Sequence, residues 1–332
     1  MAADTPTRLR FAVLGAGAIG TWIGAALAES GADVTLVARG AHLDALVRDG
    51  ARLVSADGER TVPVRAVQDT GQVGPVDVVI LAVKVHDVVA AGPALQGLLG
   101  PDTTVVAAQN GVPYWQFHGR ADDGASTRLE SIDPGGAVSA LLPPERILGC
   151  VVYLGASILA PGVVATRPEA GLILGEPDGT SSPRLEQVAR ALEHAGFPVR
   201  RTADIRAEIW TKLMGNASIN LVSVLTRAGL GTMVNDAGTG PIVATLMREV
   251  VEIAGAAGAR PQISVDERLR ITARLGDHKS STLQDLEAGK RLELDALGAA
   301  VIEVADAVGV AAPMLRAVYA LADLQARTLG LR

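Results

Sequence analysis

The chain of 332 residues is long enough for two domains, because a single hydrophobic core tends to stop growing at about 250–300 residues. Its formal net charge is −6, and its basic residues form no cluster, so we expect no nucleic-acid partner. Cys150 is the single cysteine, which excludes an internal disulfide, and the five histidines stand apart, so we expect no metal site. Residues 1–15 lack the apolar stretch of a signal peptide, so we expect a cytoplasmic protein.

Short apolar runs alternate with helical stretches in the first half of the chain. This alternation is typical of a parallel sheet covered by helices on both faces, and it predicts an α/β, Rossmann-type doubly wound sheet. The predicted elements are strands at 9–14, 33–37, 76–83 and 104–108, and helices at 18–29 and 87–99.

Short strands around one helix, 183–195, dominate residues 143–202, and we expect them to extend the same sheet. The uncharged run at 147–166 is as long as a membrane span, but glycines and a proline divide it into strand-like pieces. We therefore expect no membrane partner. The predicted strands here are 147–153, 163–166, 172–175 and 199–202.

Helical periods replace the strand signals after Asp204. The prediction is therefore an NADP-binding Rossmann-type domain at 1–203 and an all-helical substrate and catalytic domain at 204–332. The apolar helices after Leu292 serve either a core or a homodimer interface, and a homodimer is the weakly preferred alternative. The predicted helices are 205–225, 242–257, 265–275, 283–288, 292–308 and 315–329.

A glycine-rich loop, GAGAIG, follows the first strand directly and opens the first helix. Glycines at these spacings allow a tight turn, a close approach of a pyrophosphate to the backbone, and tight packing of helix on strand. The helix N-terminus adds amide donors for phosphate. The predicted cofactor contacts of this loop are Gly15, Ala16, Gly17, Ala18, Ile19 and Gly20.

Arg39 ends the second strand, where an NAD-binding protein usually carries an acidic residue. Its planar guanidinium suits the 2′-phosphate of NADP, so we expect NADP(H) as the cofactor, although a solvated arginine is the alternative. Lys84 and Asn110 follow two further strands at the carboxyl edge of the sheet, where ligands bind. The alternatives are a solvent-exposed lysine and an ordinary Asn-Gly turn.

Lys212, Asn216 and Asn220 stand four residues apart in an otherwise apolar helix, 209–225. This spacing places the three polar side chains on one face. Burial disfavours the charged form of a lysine, so Lys212 is a candidate proton donor. The alternative is a structural lysine that pairs with a core carboxylate.

Ser281 and Gln284 fit a capping box, which by itself would explain the serine. Glu293 lies in an apolar frame and is a candidate partner that holds Lys212 protonated and oriented. The alternative is a surface glutamate.

The segments GAGAIG, VKVHD, QNG, KLMGNASIN and SSTLQDLEAGKRLELD occur in this order over nearly the whole chain, which resembles the ketopantoate reductase (2-dehydropantoate 2-reductase) family. The resemblance implies reduction of a small 2-keto acid to the 2-hydroxy acid, with hydride from NADPH and a proton from a lysine. The residue roles that it implies are proton donor for Lys212, supporting acid and cofactor contact for Glu293, substrate binding for Asn216, Asn220 and Ser281, substrate and nicotinamide contact for Asn110, and cofactor contact for Lys84.

The chain departs from the family pattern in three places. Leu230 stands where some members carry a further substrate asparagine, and VVYLGA replaces a Thr-Thr-His type segment. An apparent insertion, 113–136, contains Tyr114, Trp115 and Phe117, and we interpret it as a lid over a bulkier substrate; a loop packed on its own domain is the alternative. Two other functions remain open, namely a β-hydroxyacid dehydrogenase and a non-catalytic NADP-binding sensor.

Overall fold

The computed structural model describes residues 9–119 and 128–332. Residues 1–8 and 120–127, which carry part of the localisation and lid predictions, lie outside the described residues. The described residues group into two compact units, one within Met1–Gln109 and Ala140–Ile205, the other within Asn110–Ser139 and Arg206–Arg332. The domain division at residue 203 stays a prediction.

A single mixed sheet forms the framework of the first unit. Its strands are β1 (Arg10–Leu14), β2 (Asp33–Val37), β3 (Ala51–Ser55), β4 (Gly58–Val62), β5 (Arg65–Val67), β6 (Val76–Leu81), β7 (Leu99–Ala107), β8 (Ile147–Ala160), β9 (Val163–Gly175) and β10 (Val199–Arg201). Among the described strands the order is β4-β3-β9-β8-β7-β6-β1-β2-β5, and β10 also pairs with β9. The pairs β3 with β4 and β8 with β9 are antiparallel, and the others are parallel.

The helices take up most of the rest of the described chain. They are α1 (Ala18–Glu29), α2 (Gly40–Asp49), α3 (Gly92–Gln96), α4 (Ala137–Leu141), α5 (Pro183–His194), α6 (Ile205–Gly215), α7 (Leu221–Thr226), α8 (Leu230–Asn235), α9 (Thr239–Ala256), α10 (Val265–Ala273), α11 (Ser281–Glu287), α12 (Ala300–Ala307) and α13 (Pro313–Thr328).

The central strands are apolar because helices cover them. β1 buries four of its five residues and β6 five of its six, as expected for parallel strands shielded from water on both sides. Helix α1 packs on β1 and β2 and also on β8 and β9. The predicted fold class, a Rossmann-type sheet followed by a helical C-terminal part, is confirmed.

Several element predictions were wrong in detail. The strands β3, β4 and β5 were missed because they are short and largely polar; four of the five residues of β4 are exposed. The two strands predicted at 163–166 and 172–175 form one strand, β9, which pairs with β8 along a long hairpin. Among the described residues, no helix has both the length and the hydropathy of a membrane span.

A π-helical turn interrupts each of two predicted helices, 205–225 and 292–308. The stretch 205–225 consists of α6, a π-helical turn at Asn216–Asn220, and α7; a second π-helical turn, Asp295–Ala299, precedes α12. The helix predicted at 87–99 is a 3₁₀ turn, Val85–Asp87, followed by α3, and α8 was not predicted. The two π turns pack against each other within the second unit. Such turns are frequent at functional sites.

Candidate active site

The glycine loop between β1 and α1 has the geometry of a phosphate site. Gly15 has φ of +99°, and a Cβ there would lie 2.6 Å from the Val83 nitrogen. A Cβ on Gly20 would lie 2.2 Å from the Gly15 carbonyl oxygen, whereas one on Gly17 would meet no atom within 4 Å. Two glycines are therefore required by packing, and the third keeps the backbone accessible where a pyrophosphate approaches.

The start of α1 fits an anion in a second way. Gly17 is its N-cap and supplies no side-chain acceptor, so no side chain caps the first amide groups of the helix. Oriented amides at a helix N-terminus attract phosphate. The residues present therefore fit a dinucleotide, as the sequence predicts for Gly15 to Gly20.

Arg39 and Lys84 lie close along the chain to residues that contact this loop. The Val37 carbonyl accepts hydrogen bonds from Ala16 N at 3.0 Å and Gly15 N at 3.3 Å. Arg39, two residues later, is exposed and is the N-cap of α2. Lys84 directly follows Val83, whose nitrogen lies beside Gly15.

Lys212 and Asn110 form a direct hydrogen bond within the second unit. Lys212 Nζ donates to Asn110 Oδ1 at 2.7 Å, and the lysine is half-buried on α6. The contact joins two residues that are 102 positions apart in the chain. It identifies an acceptor for the ammonium group that the helical pattern alone did not provide.

The loop that carries Asn110 is fixed on the second π turn. Val112 N donates to the Ala296 carbonyl at 3.1 Å. Gly111 has φ of +95°, and a Cβ there would lie 2.5 Å from that same oxygen, so this position requires glycine. Glu293 is half-buried and lies three residues before Ala296. Its pairing with Lys212 stays a prediction.

The first π turn carries the two predicted substrate asparagines. Asn220 is 5% exposed and its Nδ2 donates to Thr282 Oγ1 at 3.1 Å, whereas Asn216 is half-buried. Thr282 was not singled out in the sequence. Its only signal was its place beside two serines before an apolar run.

The capping-box prediction for Ser281 was wrong by one residue. The N-cap of α11 is Ser280, whose Oγ accepts from Leu283 N at 3.0 Å and is 2.6 Å from Ser223 Oγ. Ser281 is the exposed first residue of the helix. Since the cap is Ser280, capping does not explain Ser281, and its proposed contact with substrate stays a prediction.

Helix α6 also holds the segment after Asn110, at residues 115–118. Arg206 Nε donates to the Gln116 carbonyl at 2.9 Å, and its Nη2 donates to the His118 carbonyl at 2.6 Å. The guanidinium lies 5.4 Å from the ring centre of Trp115, which is 3% exposed. Trp210 Nε1 donates to Gln116 Oε1 at 3.0 Å. Residues 115–118 are therefore packed on α6, and the lid interpretation stays a prediction.

The chain matches two family models that together span most of it. Residues 11–179 match the model described as Ketopantoate reductase PanE/ApbA, and residues 204–326 match Ketopantoate reductase PanE/ApbA C terminal. The chain belongs to the ketopantoate reductase family. The family predicted from the sequence is confirmed.

Full-length relatives support this family assignment. A 2-dehydropantoate 2-reductase of Mesorhizobium japonicum is 41% identical over 94% of this chain and 96% of its own length. A solved structure from Ralstonia solanacearum MolK2 has a TM-score of 0.92 at 38% identity, covering 98% of this chain and all of the other. A 2-dehydropantoate 2-reductase structure from Geobacter metallireducens GS-15 has a TM-score of 0.84 at 27% identity, covering 96% and 100%.

Leu230, which departs from the ketopantoate reductase pattern, begins α8 and is half-buried. Its nitrogen donates to the His278 carbonyl at 2.9 Å. The glycines on both sides are tightly packed, since a Cβ on Gly229 would lie 2.4 Å from Asp277 Cα and one on Gly231 2.5 Å from Gly276 N. Leu230 therefore starts a closely packed turn.

Proposed function

We propose that this ketopantoate reductase family member reduces ketopantoate, or a related 2-keto acid, to the 2-hydroxy acid with NADPH. The observation that carries the proposal is the hydrogen bond from Lys212 to Asn110, which orients a half-buried ammonium group. Full-length similarity to 2-dehydropantoate 2-reductases supports the substrate class.

Bound NADPH supplies the hydride that adds to the keto carbon. Lys212 donates a proton from Nζ to the carbonyl oxygen as negative charge develops there, so the carbonyl becomes a hydroxyl group. The lysine is left as a neutral amine and regains its proton from water. Asn110 orients Nζ through its amide oxygen.

The other site residues have separate proposed duties. Asn216, Asn220 and Ser281 offer hydrogen bonds to the keto acid, and Glu293 supports Lys212. In the first unit, Gly15 to Gly20 and Lys84 bind the cofactor, and Arg39 selects its 2′-phosphate.

Steady-state kinetics with NADPH and NADH test the proposal, using ketopantoate and bulkier 2-keto acids. Lys212→Ala should lower kcat by about 100-fold or more while leaving NADPH binding intact. Arg39→Ala should lower kcat/KM for NADPH by about 10-fold or more and leave that for NADH unchanged, because a charged hydrogen bond contributes about 1.5–3 kcal/mol.

Each competing function has its own outcome in the same experiment. A Lys212→Ala enzyme with near-normal kcat would remove the proton-donor role. Turnover only in the oxidative direction on a 3-hydroxy acid would indicate a β-hydroxyacid dehydrogenase. Tight NADPH binding without oxidation by any keto acid would indicate a sensor. The homodimer and the cytoplasmic location remain predictions.

A further inference from the structure

A chain of three hydrogen bonds within the first unit ends on the glycine loop. Gly162 N donates to His42 Nδ1 at 3.1 Å, and His42 Nε2 is 3.0 Å from Thr21 Oγ1. The Thr21 hydroxyl in turn donates to the Ala16 carbonyl at 3.0 Å. Nothing in the sequence motifs had singled out His42 or Thr21.

The direction of each bond follows from the two groups that can act in only one way. A backbone N–H only donates, so His42 Nδ1 carries a lone pair and its Nε2 carries the proton. A carbonyl only accepts, so the Thr21 hydroxyl gives its proton to Ala16 and accepts from His42. The three hydrogen bonds therefore require a neutral His42 imidazole with its proton on Nε2.

Both ends of this series of hydrogen bonds are firmly packed. Gly162 lies in the turn between β8 and β9 with φ of +75°, and a Cβ there would lie 2.8 Å from the Ala45 Cβ on α2. Thr21 is fully buried on α1. This series of hydrogen bonds thus connects the hairpin turn, α2 and α1 to the peptide group between Ala16 and Gly17.

That peptide group directly precedes the first turn of α1. The Ala16 amide is held by the Val37 carbonyl, and the Ala16 carbonyl is held by Thr21. Together the two bonds set the orientation of the loop backbone where a pyrophosphate approaches. His42 also lies only three residues after Arg39, at the start of the same helix.

We propose that His42 is a positioning residue for the dinucleotide, acting through Thr21 on the Ala16 carbonyl and so on the phosphate-binding turn. This inference rests on the proposed function in that the ligand is NADPH. It assigns His42 an effect on cofactor affinity and none on proton transfer.

Two substitutions of His42, one by glutamine and one by asparagine, separate the two hydrogen bonds of its imidazole. The amide of Gln reaches about as far as Nε2, so His42→Gln retains a donor for Thr21. The amide of Asn reaches about as far as Nδ1, so His42→Asn retains only the acceptor for Gly162. Thr21→Ser and Thr21→Val form a matched pair that keeps or removes the hydroxyl group.

Direct titration of NADPH fluorescence at pH 8 measures the effect. His42→Asn and Thr21→Val should raise the Kd for NADPH about 5-fold, the value for one hydrogen bond of about 1 kcal/mol, whereas His42→Gln and Thr21→Ser should stay within about 2-fold of the natural protein. At saturating NADPH, kcat and the KM for the keto acid should be the same in all four.

Other results would overturn the inference. Equal Kd values for Thr21→Ser and Thr21→Val, or equal losses in His42→Gln and His42→Asn, would show that the bonds do not position the loop. Binding of NADPH without turnover of any keto acid would contradict the proposed function and leave the Kd comparison to decide this inference. If the natural protein binds no NADPH, both fail.

Discussion

One acceptor of the Lys212 ammonium group, the side-chain amide of Asn110, carries no charge. An amide oxygen such as Asn110 Oδ1, at 2.7 Å from Nζ, orients the ammonium group without the strong stabilisation that a carboxylate would give to its charged form. A proton donor benefits from this difference because it must release its proton during each turnover. The choice of asparagine here is consistent with a lysine that is positioned and yet able to react.

Substitution of Asn110 tests this view. Asn110→Asp should lower kcat by about 10-fold or more and move the high-pH limb of the kcat profile to higher pH, because a carboxylate stabilises the ammonium form. Asn110→Ala should lower kcat through lost orientation and should not move that limb to higher pH, because it introduces no carboxylate. The measurement is kcat against pH at saturating NADPH and keto acid; coincident profiles for the two variants would contradict the argument.

His42 makes a separate prediction about stability and pH. Burial lowers the pKa of His42 below its ordinary value of 6.5, so the unfolded chain binds this proton more readily than the folded chain. The contribution of the neutral imidazole to stability is therefore present above pH 6.5 and is lost as the pH falls towards the pKa in the folded state.

The natural protein should lose stability relative to His42→Gln as the pH is lowered from 7.5 to 5.5. Urea unfolding of both proteins at several pH values measures this difference, and all other titrating groups cancel in it. A stability difference that stays constant over this range would contradict the stated direction of the pKa shift.

At the scale of elements, α6 holds the segment that carries the acceptor of Lys212. Arg206, Trp210 and Lys212 lie on this one helix and bind Gln116 or its neighbours and Asn110. Gln116 is fully buried, and its Nε2 has no hydrogen-bond partner among the described residues. Within the part of the chain that the structure describes, Trp210 Nε1 is therefore the one hydrogen-bond partner of the Gln116 side-chain amide.

Trp210 and Gln116 should therefore be energetically coupled. Trp210→Phe leaves Gln116 Oε1 buried without its donor, which should cost about 1–3 kcal/mol of stability. Adding Gln116→Met should recover part of that loss, because both partners are then apolar. Urea unfolding of the two single variants and the double variant measures the coupling; strictly additive losses would argue against it.

The sequence predicted elements best where local signals were strong. Both ends of α1 and β2 agree with the prediction, because a glycine loop and short turns mark the ends of these elements. It predicted less well where tertiary contacts decide. Ser280 and Ser281 have the same local chemistry, and only the packing of Ser280 against Ser223 determines which of them caps α11. The bond between Lys212 and Asn110 likewise depends on folding of the whole second unit.

At the scale of the whole molecule, the predicted site residues divide between the two compact units. The first unit contains the glycine loop, Arg39 and Lys84. The second unit contains Lys212, Asn110, the π turn Asn216–Asn220, Ser281 and Glu293. Ligands of different chemistry should therefore protect different segments of backbone. NADPH carries the phosphates, and the 2-hydroxy acid product carries the carboxylate and the hydroxyl group.

Hydrogen exchange measured by mass spectrometry resolves these segments. NADPH at about 100 times its Kd should slow exchange in residues 15–21 and 39–42 by up to about 100-fold, since binding at that excess stabilises the bound form by about 2.7 kcal/mol. NADH is the matched control, because it has the pyrophosphate but no 2′-phosphate. At equal saturation NADH should protect residues 15–21 as well as NADPH does, and residues 39–42 less.

The 2-hydroxy acid added to the NADPH complex should extend protection to residues 212–220. Unchanged exchange at 15–21 with NADPH would contradict the assignment of the loop, and equal protection of 39–42 by both nucleotides would contradict the role of Arg39.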